Sequence, residues 1–159
     1  MIDEKAYREA LDEMLKDPEL QKMKQYYQHG GNTYAHSVQV AEAALKIARI
    51  LPFHVKEKDL ARGAMLHDFY LYGTNDMTFT AYQHGTRHPR ISYENASRHF
   101  DLTDTEKDII LSHMWPLTFT RPPRCRESVV VTLADKYCAT REYRRHFTRL
   151  IKNRFFRRQ

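Results

Sequence analysis

Cysteine is nearly missing from this chain. The two present, Cys125 and Cys138, stand 13 residues apart with no Cys-x-x-Cys or zinc-finger spacing. Neither a disulfide framework nor a structural zinc is therefore expected, and both read as free, buried thiols. No apolar run approaches the ~20 residues that a bilayer-spanning helix needs. The N-terminal stretch MIDEKAYREALDEM is acidic where a secretion signal would be apolar, so the expected location is the cytoplasm. The period-two alternation of strands is missing throughout, and no repeat or low-complexity tract precedes the C-terminus. At 159 residues the chain is long enough for one domain with a core of its own. The expected fold is all-α.

Positive charge is present but localised. Residues 141–159 hold eight lysines and arginines against one acid, Glu142, a net of +7, while the whole chain carries +6. The rest is thus about neutral, and the basicity belongs to a tail and not to the domain.

Two short helices are expected over 3–16 and 18–28, a collar with Tyr7, Leu11 and Leu15 on one stripe. Gly30-Gly31 breaks the chain, and Asn32 or Thr33 caps a helix reaching about Ile50, closed by Pro52. On it His36 shares an inward stripe with Val40, Ala43 and Ile47. A helix over about 56–67 ends at His67-Asp68. The stretch 69–87, with Gly73 and Gly85, has no clean period and reads as a long loop of the kind that often serves binding. Its aromatics Phe69, Tyr70, Tyr72, Phe79 and Tyr82 would suit a substrate wall or simple hydrophobic plugging. Pro89 fits the first turn of the next helix, running to about Phe100, which puts His88 at its start. Thr103 and Glu106 form a capping box for a helix carrying Ile109, Ile110 and His113 inward. After Trp115-Pro116 and a proline-bearing loop, a helix is expected from about Glu127 to Arg141, with Asp135 on the stripe of Val131, Cys138 and Ala139.

Four of the residues His36, His67, Asp68, His88, His113 and Asp135 thus fall on an apolar helix face or at its inner end, where a polar side chain is costly without a partner. Adjacent His67 and Asp68 offer one nitrogen and two carboxylate oxygens, donors suited to a divalent metal. The order H, HD, H, H, D resembles the HD-domain superfamily of metal-dependent phosphohydrolases in its six-ligand, two-metal form, from about Thr33 to about Ala139. The resemblance implies a helical HD domain over 1–143, with a collar at 1–29 and a metal-binding core at 33–139, followed by a basic helix or tail at 144–159. It implies that His36, His67, Asp68 and Asp135 hold one metal and that Asp68 bridges to a second, completed by His88 and His113. Members with one metal usually lack the two middle histidines, so two divalent ions are expected. Imidazole and carboxylate donors without thiolate favour iron or manganese.

The implied chemistry is attack of a metal-activated hydroxide on a phosphate ester, of a nucleotide or a small phosphorylated metabolite, with Asp68 and Lys136 in catalytic roles. Lys136, Arg87 and Arg90 are candidate phosphate donors. His84, four residues before His88, is a candidate substrate contact, the family pattern of His, Pro and helix favouring His88 as ligand. No GYP motif follows the HD step, which speaks against cyclic di-GMP hydrolysis. The same ligand order resembles diiron oxygenases of the myo-inositol oxygenase kind. A reading of another class rests on the tail, where Tyr143, Phe147, Leu150, Ile151 and Phe155 share a helical stripe amid arginines. Such a helix suits nucleic acid or an anionic surface, or packs on its own domain or on a second subunit to give a homodimer.

Overall fold

The computed structural model describes residues 2–28, 31–72 and 80–156, the side chains of Gln28, His146 and residues 149–156 excepted. It is all-α in architecture. Helix α1 (Glu4–Lys16) starts at Asp3, whose carboxylate accepts from the Lys5 and Ala6 amides, and ends at Asp17, which caps α2 (Pro18–Gln21) in turn. A 3-10 turn (Lys22–Gln25) follows. The expected second collar helix is therefore short. Residues Tyr27–Gln28 (β1) pair instead with Gly31–Asn32 (β2) in a two-residue antiparallel ladder, a strand feature too short to leave a period in the sequence.

Asn32 caps α3 (Thr33–Ile50), accepting from the Ala35 amide at 2.7 Å, and the helix stops at Leu51 before Pro52. Helix α4 (Glu57–Leu66) delivers His67 at its C-terminal cap. Helix α6 (Asp104–Ser112) opens on the expected Thr103–Glu106 capping box and delivers His113 at its own C-terminal cap. Helix α1 packs on α4, α4 lies between α3 and α6, and the last helix, α7 (Arg126–Phe156), crosses α3 and α6. The core between them includes Tyr7, Leu11, Leu45, Leu60, Leu66, Ile109, Ile110, Val130 and Val131, all essentially inaccessible to water.

The contact of α4 with α6 sets the distance between His67 and His113, and Gly63 allows it. A Cβ at Gly63 would collide with Ile109 Cδ1 and stand 3.1 Å from Ile109 Cγ2. Gly63→Ala should therefore destabilise the fold by about 1–3 kcal/mol through overpacking, although alanine is the better helix former. Urea denaturation measures this, and a variant as stable as the parent would show that the helices have room to spare.

Further sequence expectations are corrected. Helix α5 (Ala81–His99) begins at a Thr80–Gln83 capping box, so Pro89 and His88 lie inside a helix and not at its start. Phe69 is buried in the core and Tyr82 is 67 % exposed, whereas Tyr70 and Tyr72 set their rings against His84, 5.4 Å and 5.7 Å between centroids, so the aromatics do not form one common wall; Phe79 and Gly73 lie outside the described residues. Helix α7 runs without a break through Arg141 and on to Phe156, 31 residues in all, about 46 Å. Tyr143 and Phe147 on it are exposed, and the side chains of Leu150, Ile151 and Phe155 lie outside the described set. Cys138 is buried as expected, whereas Cys125 is half-buried; both are free. Among the described residues no helix is long and apolar enough to cross a membrane.

Candidate metal centre

Helix ends and helix faces converge on one point. His36 comes from the first turn of α3, His67-Asp68 from the end of α4, His88 from the middle of α5, His113 from the end of α6 and Asp135 from α7. Their donor atoms form two groups, His36 with His67 and Asp135, and Asp68 with His88 and His113, and within each group these atoms lie within 4.8 Å of one another. Asp68 stands between them. Its Oδ1 is 3.2 Å from His88 Nε2 and 3.5 Å from His113 Nε2, while its Oδ2 is 3.5 Å from His67 Nε2 and 3.8 Å from His36 Nε2. All six residues identified in the sequence are therefore brought together.

The backbone fixes which nitrogen each ring presents. His67 Nδ1 donates to Ala64 O at 2.8 Å, His88 Nδ1 to His84 O at 3.0 Å, and His113 Nδ1 to Ile110 O at 2.8 Å. With the proton on Nδ1, each Nε2 turns a bare lone pair inward. The Nε2 atoms of His88 and His113 then face each other at 2.7 Å. Two lone pairs at that distance repel unless a cation or a proton lies between them. His67 Nε2 and Asp68 Oδ1 are buried without a hydrogen bond, an arrangement that costs free energy unless something else satisfies it. The donor set and these orphaned atoms fit metal ions.

Electrostatics point the same way. Burial opposes charge on His36, yet hydrogen bonds to Asp135 and Glu142, with Asp68 nearby, outweigh it and push the pKa up to about 10. Burial also opposes charge on His67, but the neighbouring Asp68 and Asp135 raise its pKa. Burial pulls His113 down to about 4, which keeps its ring neutral. Asp68 and Asp135, despite burial, are held well below the usual carboxylate range by the surrounding histidines. The carboxylates call for positive charge here, which protons on His36 and His67 supply when no ion is bound and which a metal ion on the inward nitrogens would supply in their place.

One further contributor was not picked out from the sequence. Glu142 Oε1 accepts from His36 Nδ1 at 3.2 Å and from Gln39 Nε2 at 3.4 Å, the carboxylate support that orients many metal-binding histidines. Its signal was its place seven residues after Asp135, two turns along the same face of α7.

An open cavity of about 360 Å3 leads to the cluster. Lys136 lines it, with Nζ 3.0 Å from His113 O and 3.3 Å from Asp135 Oδ2. His84 lines it too, its ring stacked on His88 with centroids 4.8 Å apart and its Nδ1 hydrogen-bonded with the Tyr72 hydroxyl at 2.9 Å. Arg87 and Arg90 lie on the exposed side of α5, outside the lining, with Arg90 paired to Glu94 at 2.9 Å. The stacking puts His88 in the cluster and His84 beside it.

Comparison with curated proteins and with solved structures gave no match. A family model described as the HD domain matches residues 33–140, more than half of the chain. That span runs from the first residue of α3 to just past Asp135 and holds all six clustered side chains, and on it the chain belongs to the HD-domain family.

Proposed function

We propose that this chain is a metal-dependent phosphohydrolase that holds two divalent cations and cleaves a phosphate ester. One cation falls to His36, His67 and Asp135, the other to Asp68, His88 and His113, with the Asp68 oxygens serving both. The observation that carries this reading is the His88–His113 pair, Nε2 to Nε2 at 2.7 Å with both Nδ1 protons committed to backbone carbonyls. Histidine and carboxylate donors without thiolate favour iron or manganese. When bound, such a pair supplies a nucleophilic water of lowered pKa and neutralises charge on phosphate oxygens.

The chain's own residues do the rest. Lys136 is held by His113 O and Asp135 while its side chain stays 40 % exposed to the cavity, which leaves ammonium protons for a substrate phosphate. His84 presents a ring edge to the same space. Arg87 and Arg90 have no part in this assignment, since they do not line the cavity.

The test is phosphate release from a panel of phosphate esters by manganese-reconstituted protein. Release should stop on chelation and return when manganese or iron is restored. Oxygen consumption without phosphate release would replace this reading with an oxygenase. Glu142→Gln should weaken metal binding by about 10–100-fold, the cost typical of losing an outer partner of a ligating histidine. A metal titration checks this, and an unchanged affinity would show Glu142 to be incidental.

A further inference from the structure

The cavity has two chemically different kinds of lining, the histidine and aspartate cluster and an apolar set of Ala81, Gly85, Met114, Leu117, Ala139 and Tyr143. Leu117 and Tyr143 are 43 % and 56 % exposed, so apolar surface remains open to water at the mouth of a polar centre. A phosphoryl group of five heavy atoms, given even a water's share of about 30 Å3 for each, fills less than half of the roughly 360 Å3. The remaining space gains from an occupant that leaves water for an apolar wall.

Charge narrows the occupant further. Among the described residues Lys136 is the single lysine or arginine in the lining, against three carboxylates, Asp68, Asp135 and Glu142. A second anionic group held away from the metal cluster would meet no lysine or arginine of the described lining other than Lys136, and its desolvation would go largely uncompensated. Gly85 leaves room beside the apolar lining. It lies inside α5, where glycine is unfavourable relative to alanine. A Cβ there would stand 2.8 Å from Leu117 Cδ2 and 3.4 Å from Met114 Cε.

We infer that the substrate carries a single phosphoryl group on a compact apolar body, and that Gly85, Met114, Leu117 and Tyr143 set the size of that body. This rests on the phosphohydrolase reading for the place of the phosphoryl group and adds what lies beyond the phosphorus.

Calorimetric binding of three non-hydrolysable phosphonates to the manganese-loaded full chain tests it. Benzylphosphonate should bind at least about tenfold more tightly than methylphosphonate, through the apolar area it buries. The doubly anionic 3-phosphonopropionate should bind no more tightly than methylphosphonate. Gly85→Ala, which adds a methyl group to the lining against Leu117, and Leu117→Asp, which makes the wall polar, should each lower the benzyl-to-methyl ratio in protein whose circular dichroism is unchanged. Equal affinity for the benzyl and methyl compounds, tightest binding of 3-phosphonopropionate, no binding of any of the three, or a ratio unmoved in both variants would overturn the inference. Turnover separates it from the reading beneath. Phosphate release without the benzyl preference leaves the hydrolase and removes the substrate class. A benzyl preference with no release from benzyl phosphate leaves the pocket and removes the hydrolase.

Discussion

Asp68→Ala is expected to abolish phosphate release and to take bound metal from about two ions per chain to none. The reason is position. Asp68 is the one carboxylate in the group with His88 and His113, with Oδ1 3.2 Å and 3.5 Å from their Nε2 atoms. Without it that group keeps two imidazoles and no counter-charge. Its other oxygen lies 3.5 Å from His67 Nε2 and 3.8 Å from His36 Nε2, so the first group loses its adjacent anion as well. The fall in rate should exceed the ~10–100-fold that loss of an outer partner costs. Asp68→Asn keeps the shape and removes the charge, and it should behave as the alanine variant does. That second variant guards against a trivial failure to fold, which circular dichroism would reveal. Wild-type rates in either protein would sink the assignment.

His88→Ala should produce a different outcome, loss of one ion with retention of the other. His88 contacts Asp68 Oδ1 and His113 but is absent from the group of His36, His67 and Asp135. Removing its ring also relieves the lone-pair conflict with His113, so the metal-free fold should be no less stable. Activity should drop by at least about 100-fold if the two ions act as a clamp on one phosphoryl group. His84→Ala serves as the comparison. Its ring stacks on His88 without entering either group, and it should alter substrate affinity while leaving metal content alone. Loss of both ions in the His88 variant would show that the two groups are not separable.

Much of this centre was legible in the sequence because its residues sit at places that local rules mark. Asn32 and the Thr103–Glu106 box announce helix starts, and Pro52 announces an end. Once those helices are placed, His36, His113 and Asp135 fall on inward stripes. The start of α5 was missed for an identifiable reason. Thr80 and Gln83 carry the spacing of a capping box, but Pro89 is a stronger local signal and reads as a first-turn marker. A proline inside a helix is allowed when tertiary contacts outweigh its lost hydrogen bond, and here Pro89 is buried beside His88. The role of Glu142 was hidden by charge. It is the lone acid in a run of arginines, and it reads as part of the tail until α7 is seen to continue through it. The destinations of Phe69 and Tyr70 could not be read from periodicity, because the segment after His67-Asp68 has none; their burial depends on contacts distant in sequence, such as Phe69 against Phe100.

The most direct test is metal content per chain, by elemental analysis of protein purified without oxygen and then reconstituted with iron or manganese. The arrangement of the two groups around Asp68 predicts about two ions in the parent, one in His88→Ala and none in Asp68→Ala. A parent chain that binds no metal after reconstitution, or that holds a single ion unaffected by loss of His88, would contradict the two-metal centre.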